Sequence, residues 1–139
     1  MKKQYLVLAF TLLLPMISVC HAKDLSSCKS GPDLVITKMA ARKSADGTKV
    51  MVTYTLKNKG NAKAGVSRSK LEVSDKKGAI YDSAPSLMPG SSVSRTVEYF
   101  VPEKGNFDIK ATADYNNLLP EKNEMNNENS VRFSVGKSF

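Results

Sequence analysis

The chain of 139 residues has no tryptophan, a single histidine (His21) and two cysteines (Cys20 and Cys28). Each scarcity excludes something. Two cysteines cannot build a disulfide scaffold, and the residues supply no zinc-ligand set and no glycine-rich loop to cradle phosphate. Histidine is the usual general base near neutral pH, so its confinement to position 21 argues against acid–base catalysis in the rest of the chain. One long apolar run exists, Tyr5 to Val19, at the very start. What remains is ordinary: 41% apolar and 24% charged residues, within the range of a folded single domain and outside that of collagen-like or disordered chains.

The opening 22 residues read as an export signal. Lys2 and Lys3 precede the apolar run, and Cys20-His21-Ala22 forms a small-x-small ending of the kind signal peptidase accepts. A helix over that run would be roughly 22 Å long, short of the ~30 Å hydrocarbon core, and Pro15 disfavours extending it. Cleavage after Ala22 is therefore expected, with lipidation at Cys20 and an uncleaved anchor as the alternatives; Val19 is poorly suited to a lipidation site. No membrane span is expected in the processed chain. Cys28 would then be the one thiol left, unable to bridge internally, so a Cys28-linked dimer stands as the alternative to an idle thiol on a monomer.

From Asp33 onward the apolar residues alternate with period two, broken every 8 to 15 residues by Gly, Pro, Asn or Asp, as antiparallel strands and turns do. The expected strands are Leu34 to Ala41; a second with Val50, Val52, Tyr54 and Leu56 on one face; a third around Val66 to Ser74; and a short edge strand from Ile80 to Ser83. A fifth carries Val93, Arg95, Val97 and Tyr99. The sixth places Phe107, Ile109, Ala111, Ala113 and Tyr115 on one face, and the seventh Val131, Phe133 and Val135. Turns are expected at Asp46-Gly47, at Asn58-Lys59-Gly60-Asn61 through residues tolerant of positive φ, at Lys76-Lys77-Gly78 and at Leu87-Met88-Pro89-Gly90. A lone sheet leaves one apolar face wet, so seven short strands predict two packed sheets. The fold class is all-β, an immunoglobulin-like antiparallel sandwich. The antibody hallmarks, a disulfide between the sheets, a core tryptophan and a corner tyrosine, are missing; Phe107 stands where the corner tyrosine would be. The organisation is then a signal peptide (1–22), a polar lead-in (23–32), the sandwich (33–136) and a short tail (137–139).

Several of these segments, Asp33 to Thr37, Val52 to Ala62, Leu87 to Ser91, Gly105-Asn106-Phe107 and the final Asp114…Glu121-Lys122-Asn123-Glu124-Met125-Asn126-Asn127, resemble the CARDB family of bacterial extracellular domains in order and spacing. The resemblance implies an immunoglobulin-like sandwich in secreted or surface proteins, acting in adhesion or binding, with no catalytic residues to carry over. Such domains commonly recur in tandem, whereas one copy stands here.

Two clusters are candidate sites. Asp114, Glu121, Glu124 and Asn126, with Asn116, Asn117 and Asn127, offer many hard oxygens in one connection, and Ca²⁺ takes six to eight. The spacing is not an EF-hand, and the same residues also serve as turn formers that bond their own backbone. The second cluster follows from charge: residues 23 to 70 hold 11 basic and 3 acidic residues, while 71 to 139 hold 8 and 10. Lys57, Lys59, Lys63, Arg68 and Lys70 form a candidate basic patch for a protein or an anionic cell-envelope polymer, against the alternative of a solvated face that keeps edge strands from pairing. Nucleic acid is not expected, since no aromatic platform is interleaved with the charge. Ser67-Arg68-Ser69-Lys70 matches the Ser-x-x-Lys spacing of serine acyl-enzymes, but in a strand residues three apart point to opposite faces. The expected role is an exported, non-catalytic binding or adhesion module in the periplasm or outside the cell, with no cofactor. A calcium-dependent structural module is the alternative, and an unrecognised enzyme a weaker one.

Overall fold

The computed structural model describes residues 30–74, 78–100 and 104–136. The export signal, Cys20, Cys28, Lys76-Lys77 and the tail at 137–139 lie outside them. Seven strands follow in order: β1 (Leu34–Lys43), β2 (Lys49–Asn58), β3 (Ser67–Val73), β4 (Ala79–Ala84), β5 (Ser92–Phe100), β6 (Gly105–Thr112) and β7 (Glu128–Val135). All pairings are antiparallel, in a three-stranded sheet ordered β1-β2-β5 and a four-stranded sheet ordered β4-β3-β6-β7. This is the expected immunoglobulin-like sandwich.

The period of two places each side chain. In β2, Val50, Val52, Tyr54 and Leu56 are buried while Met51, Thr53, Thr55 and Lys57 alternate on the outer face. Their inner partners are Ile36 on β1 and Leu71, Phe107, Ile109 and Ala111 on the facing sheet. Burying side chains of this size is worth about 1.5–3 kcal/mol each before chain entropy is subtracted. Phe107 lies within β6 opposite Phe133 of β7, closing the core by packing.

β1 carries a bulge: the register shifts between Ile36 and Lys38, leaving Thr37 extra, with its hydroxyl donating to the Thr55 carbonyl. The shift keeps Leu34 and Ile36 on the core before it and Met39 and Ala41 after it, and turns Lys38, Ala40 and Arg42 outward. The β1–β2 turn has Gly47 at φ 72° and is fixed by Asp46, which accepts from the Ser44 hydroxyl and from the Thr48 amide and hydroxyl. Those donors, the Ser44 hydroxyl foremost, hold its pKa at about 2. At Leu87-Met88-Pro89-Gly90 the reversal uses Gly90 at φ 78°, as expected.

Two local expectations fail. Asn58 to Asn61 contains no positive φ. Gly60 is required there for a different reason: a Cβ on it would lie 2.3 Å from the Gly31 carbonyl oxygen, so only glycine lets the lead-in pass this close. Asn58, fully buried, binds the crossing together. Its Nδ2 donates to the carbonyls of Ala62 (2.8 Å) and Leu87 (3.0 Å), and its Oδ1 accepts from the amides of Asp33 (3.1 Å) and Gly60 (2.9 Å). Tyr115 is the second correction. It does not continue the inward row of β6, because Asp114 takes φ 38° and turns the chain out of the strand; the Tyr115 ring instead meets Tyr81 at 5.0 Å between centroids.

Candidate functional site

The connection from β6 to β7 is built on carboxylates and amides that bond the backbone. Asp114 is 1% exposed, and its Oδ2 accepts from the Leu119 amide at 2.8 Å. Glu121, also 1% exposed, accepts from the Leu34 amide through Oε2 and from Asn127 Nδ2 (3.2 Å) through Oε1, joining this connection to the start of β1. Burial, above all, lifts its pKa to about 7; the charges of Glu124, Asp114 and Asp33 add to the rise, and the Leu34 amide opposes it. Glu124 accepts from the Glu121 amide at 2.8 Å, and Asn126 Nδ2 donates to Asp33 at 2.9 Å.

The four residues singled out for calcium thus share one region without facing one point. Glu121 is committed to the Leu34 amide and Asn127, whereas Asp114 and Glu124 line a cavity of about 300 Å³ together with Asn127 and Asn117. Two buried oxygens of its lining residues, Asp114 Oδ1 and Asn127 Oδ1, accept no hydrogen bond, nor does Asn126 Oδ1 outside the cavity. Among the described residues no three His, Cys, Asp or Glu side chains converge as a metal set. Asn127 is a cavity-lining oxygen that the sequence-chosen four omit; its place next to Asn126 was visible, its inward direction was not.

The structure divides the five basic candidates. Lys57 lies on the outer face of β2, Lys59 and Lys63 on the β2–β3 connection, and Arg68 and Lys70 on the outer face of β3 in the opposite sheet. Lys70 is held by Glu72 at 2.6 Å. Ser67 is buried while Lys70 points outward, so the Ser-x-x-Lys pair is split by the sheet.

A polar cluster that sequence reasoning left unassembled closes one side of the sandwich. Arg95, on β5 among Val93, Val97 and Tyr99, faces inward and grips Asp82 of β4 with two bonds, Nε to Oδ2 at 2.9 Å and Nη2 to Oδ1 at 2.7 Å. The fully buried Tyr54 hydroxyl donates to the same Asp82 Oδ2 at 2.7 Å. Arg95 holds the Asp82 carboxyl below its ordinary range, whereas burial pushes the Tyr54 phenol up to about 12. Three ionisable groups meet here, with the buried Ser69 hydroxyl beside the Tyr54 phenol. The arrangement ties β4 and β5, and so the two sheets, together. The signal was present in the sequence, a lone arginine in an otherwise apolar row.

These details agree with the comparisons. A CARDB family model matches residues 31–131, nearly the whole sandwich. The chain belongs to the CARDB family. Among solved structures, the CARDB domain of a Pyrococcus furiosus protein, described in complex with di-metal ions, superposes with a TM-score of 0.62 at 20% identity, covering 77% of this chain and 96% of that one. A domain from Methanosarcina acetivorans, described as belonging to a candidate cell surface protein, gives 0.65 at 20% identity over 77% and 94%. A β-glucosidase from Thermotoga neapolitana matches over 76% of this chain but only 16% of its own, with a TM-score of 0.55 at 20% identity. At such identities these structures establish the fold alone. No curated protein matches the chain. Among the described residues no helix is long and apolar enough to cross a membrane.

Proposed function

We propose that this CARDB chain is an exported, non-catalytic module that works by contact, meeting a protein or an anionic cell-envelope polymer through its surfaces, loops and strand edges. The observation that carries the reading is the family match over residues 31–131. The resemblance of the sandwich to a domain of a candidate cell surface protein supports export, as does the apolar opening segment. The chemistry agrees: the strongly shifted side chains, Asp46, Tyr54, Glu121 and Arg95, are engaged in turns and ties. Fractionation of expressing cells tests it. The processed chain is expected outside the cytosol, with part of it on the envelope and released by salt, and rigorously repurified protein is expected to turn over no hydrolase substrate. Unprocessed precursor in the cytosol, or turnover that survives repurification, overturns the reading.

A second reading, a calcium-dependent structural module, is favoured by the unpartnered oxygens of Asp114 and Asn127 in one cavity. A Ca²⁺ ion there would draw on Asp114 Oδ1, Asn127 Oδ1 and the Glu124 carboxylate, with backbone carbonyls and water completing its shell. That the Pyrococcus domain was solved with di-metal ions supports this reading. Chelator-treated protein should then gain on the order of 5 °C in melting temperature with millimolar Ca²⁺. Asp114→Asn, which tolerates the same backbone and still accepts from Leu119, should abolish the gain. An unchanged melting temperature removes the reading and leaves the oxygens as water-bound turn atoms.

A further inference from the structure

The two outer faces of the sandwich handle charge differently. On the four-stranded sheet the outward cations other than Arg68 are answered in place. Lys70 and Lys110 bracket Glu72 at 2.6 and 3.8 Å, Lys110 also reaches Glu128 at 3.2 Å, and Arg132 binds Asp108 at 2.8 Å. The three-stranded sheet shows Lys38, Arg42, Lys49 and Lys57 outward with one carboxylate, Glu98, which Lys49 takes at 2.5 Å. Among the described residues Lys38, Arg42 and Lys57 have no acidic partner. Such a face attracts a polyanion, because each cation meets a ligand charge without first giving up an internal pair.

Between those cations the cross-strand register lays down hydroxyls. Thr53 of β2 stands opposite Thr96 of β5, their Oγ1 atoms 2.9 Å apart, and Thr55 stands opposite Ser94, their oxygens 3.1 Å apart. Each pair uses one hydrogen internally, which fixes the rotamers and leaves lone pairs and the second hydrogen toward solvent. At the β5 end the Phe100 ring is 78% exposed, with the Lys49 ammonium 6.0 Å from its centroid. Beside the Thr53–Thr55 row, a groove of about 580 Å³ runs over the β1 bulge toward Asn129 and Ser130 of β7. At ~3.4 Å per residue, β2 from Lys49 to Lys57 is roughly 27 Å long, an extended track and not a point site.

We propose that the outer face of the three-stranded sheet binds an acidic polysaccharide, with Lys38, Arg42 and Lys57 pairing its carboxylates, the Thr53, Thr55, Ser94 and Thr96 hydroxyls bonding its hydroxyls, and Phe100 stacking on a ring. The proposal rests on the contact reading above and narrows it to one face and one ligand class. Extended polymer is preferred over a lipid surface because the charges are spread along strands among fixed hydroxyls, with no cluster of apolar side chains to insert beside them.

The test is affinity electrophoresis of the intact chain in gels containing polygalacturonate, with neutral dextran and anionic phosphatidylglycerol vesicles as comparison probes. Retardation by polygalacturonate is expected at low salt, fading as salt rises, with none on dextran. The triple variant Lys38→Ala/Arg42→Ala/Lys57→Ala should weaken it about ten-fold or more, and Phe100→Ala should weaken it while leaving the charge intact. The comparison variant Arg68→Ala/Lys70→Ala/Lys110→Ala, which removes the same three charges from the outer face of the other sheet, should have less effect. No retardation, or equal loss with both sets, overturns the proposal, as does stronger binding to vesicles. If the chain still localises to the envelope in that case, the contact reading stands and only this face and ligand are lost.

Discussion

Removing Asp82 from its tie between the sheets should cost more than its position on an edge strand suggests. The carboxylate accepts three bonds, two from Arg95 and one from Tyr54, at 2.7 to 2.9 Å. Its side chain is 14% exposed and that of Arg95 36%, so solvent screens the pair in part and the full cost of breaking a buried ion pair does not apply. In Asp82→Ala the guanidinium regains some water, but the buried Tyr54 hydroxyl loses its partner, which alone costs about 1–3 kcal/mol. The sum is about 2–4 kcal/mol, a large share of a small domain's stability. Tyr54→Phe removes one bond and leaves Asp82 with Arg95, for about 1 kcal/mol. The pair Asp82→Leu/Arg95→Met, apolar on both sides, should recover much of the loss, because neither partner is left charged and alone. Urea denaturation of the four proteins, compared by midpoint at unchanged slope, measures each value. The folded Asp82 carboxyl is depressed below 3.8, so its contribution is complete above that pH and is lost as the solution is acidified through the lower folded value. Asp82→Ala costing under about 0.5 kcal/mol, or a double variant no better than the single, would refute the reasoning.

Glu121 acts in the opposite direction with pH. Its folded pKa is raised from 4.5 to about 7, so the folded chain holds the proton more tightly; the stability this contributes is complete below pH 4.5 and disappears as pH rises through 7. The loss is about 3 kcal/mol at most, or a melting temperature lower by on the order of 10 °C at pH 8.5 than at pH 5. With no histidine in residues 30–136 to titrate across that window, scanning calorimetry in chelator should show the slope in the parent and a flat profile in Glu121→Gln; a flat parent would contradict it. Asn58→Ala strands the Ala62 carbonyl and the amides of Asp33 and Gly60, while the Leu87 carbonyl keeps the Ala64 amide, and should cost about 3 kcal/mol in urea titrations, with Asn58→Asp no better because it cannot donate. Gly60→Ala should destabilise by a similar amount, about 2–4 kcal/mol, through the Gly31 carbonyl; a neutral result would show that the lead-in moves aside freely.

Much of this fold could be read from the residues, for a physical reason. Alternation in Val50 to Lys57 reports which face is buried before any partner is known, and seven such runs admit few architectures. Contacts between distant segments could not be read. Gly60 fits the turn vocabulary equally well whether it serves a positive φ or a close approach, and only the proximity of Gly31, 29 positions earlier, decides. Arg95 was visibly odd in its apolar row, yet its partner depends on β4 and β5 facing each other across the open side. The basic patch was drawn from nearness along the chain, and the sandwich separates Lys57 from Arg68 and Lys70 by placing them on opposite sheets. Conversely, Lys38 and Lys57 are 19 positions apart and share a face through the pairing of β1 with β2. In the acidic connection the residue types were evident, but their inward or outward direction hangs on two left-handed residues, Asp114 and Asn117.

Nuclear magnetic resonance titration of the isotopically labelled chain with polygalacturonate oligomers tests the central claim, contact through the unbalanced face, most directly. The account predicts the largest amide shifts at Lys38 to Arg42, Met51 to Lys57 and Ser92 to Glu98, fading together as salt is added. Shifts concentrated on β3, β6 and β7, or none at low salt, would contradict it.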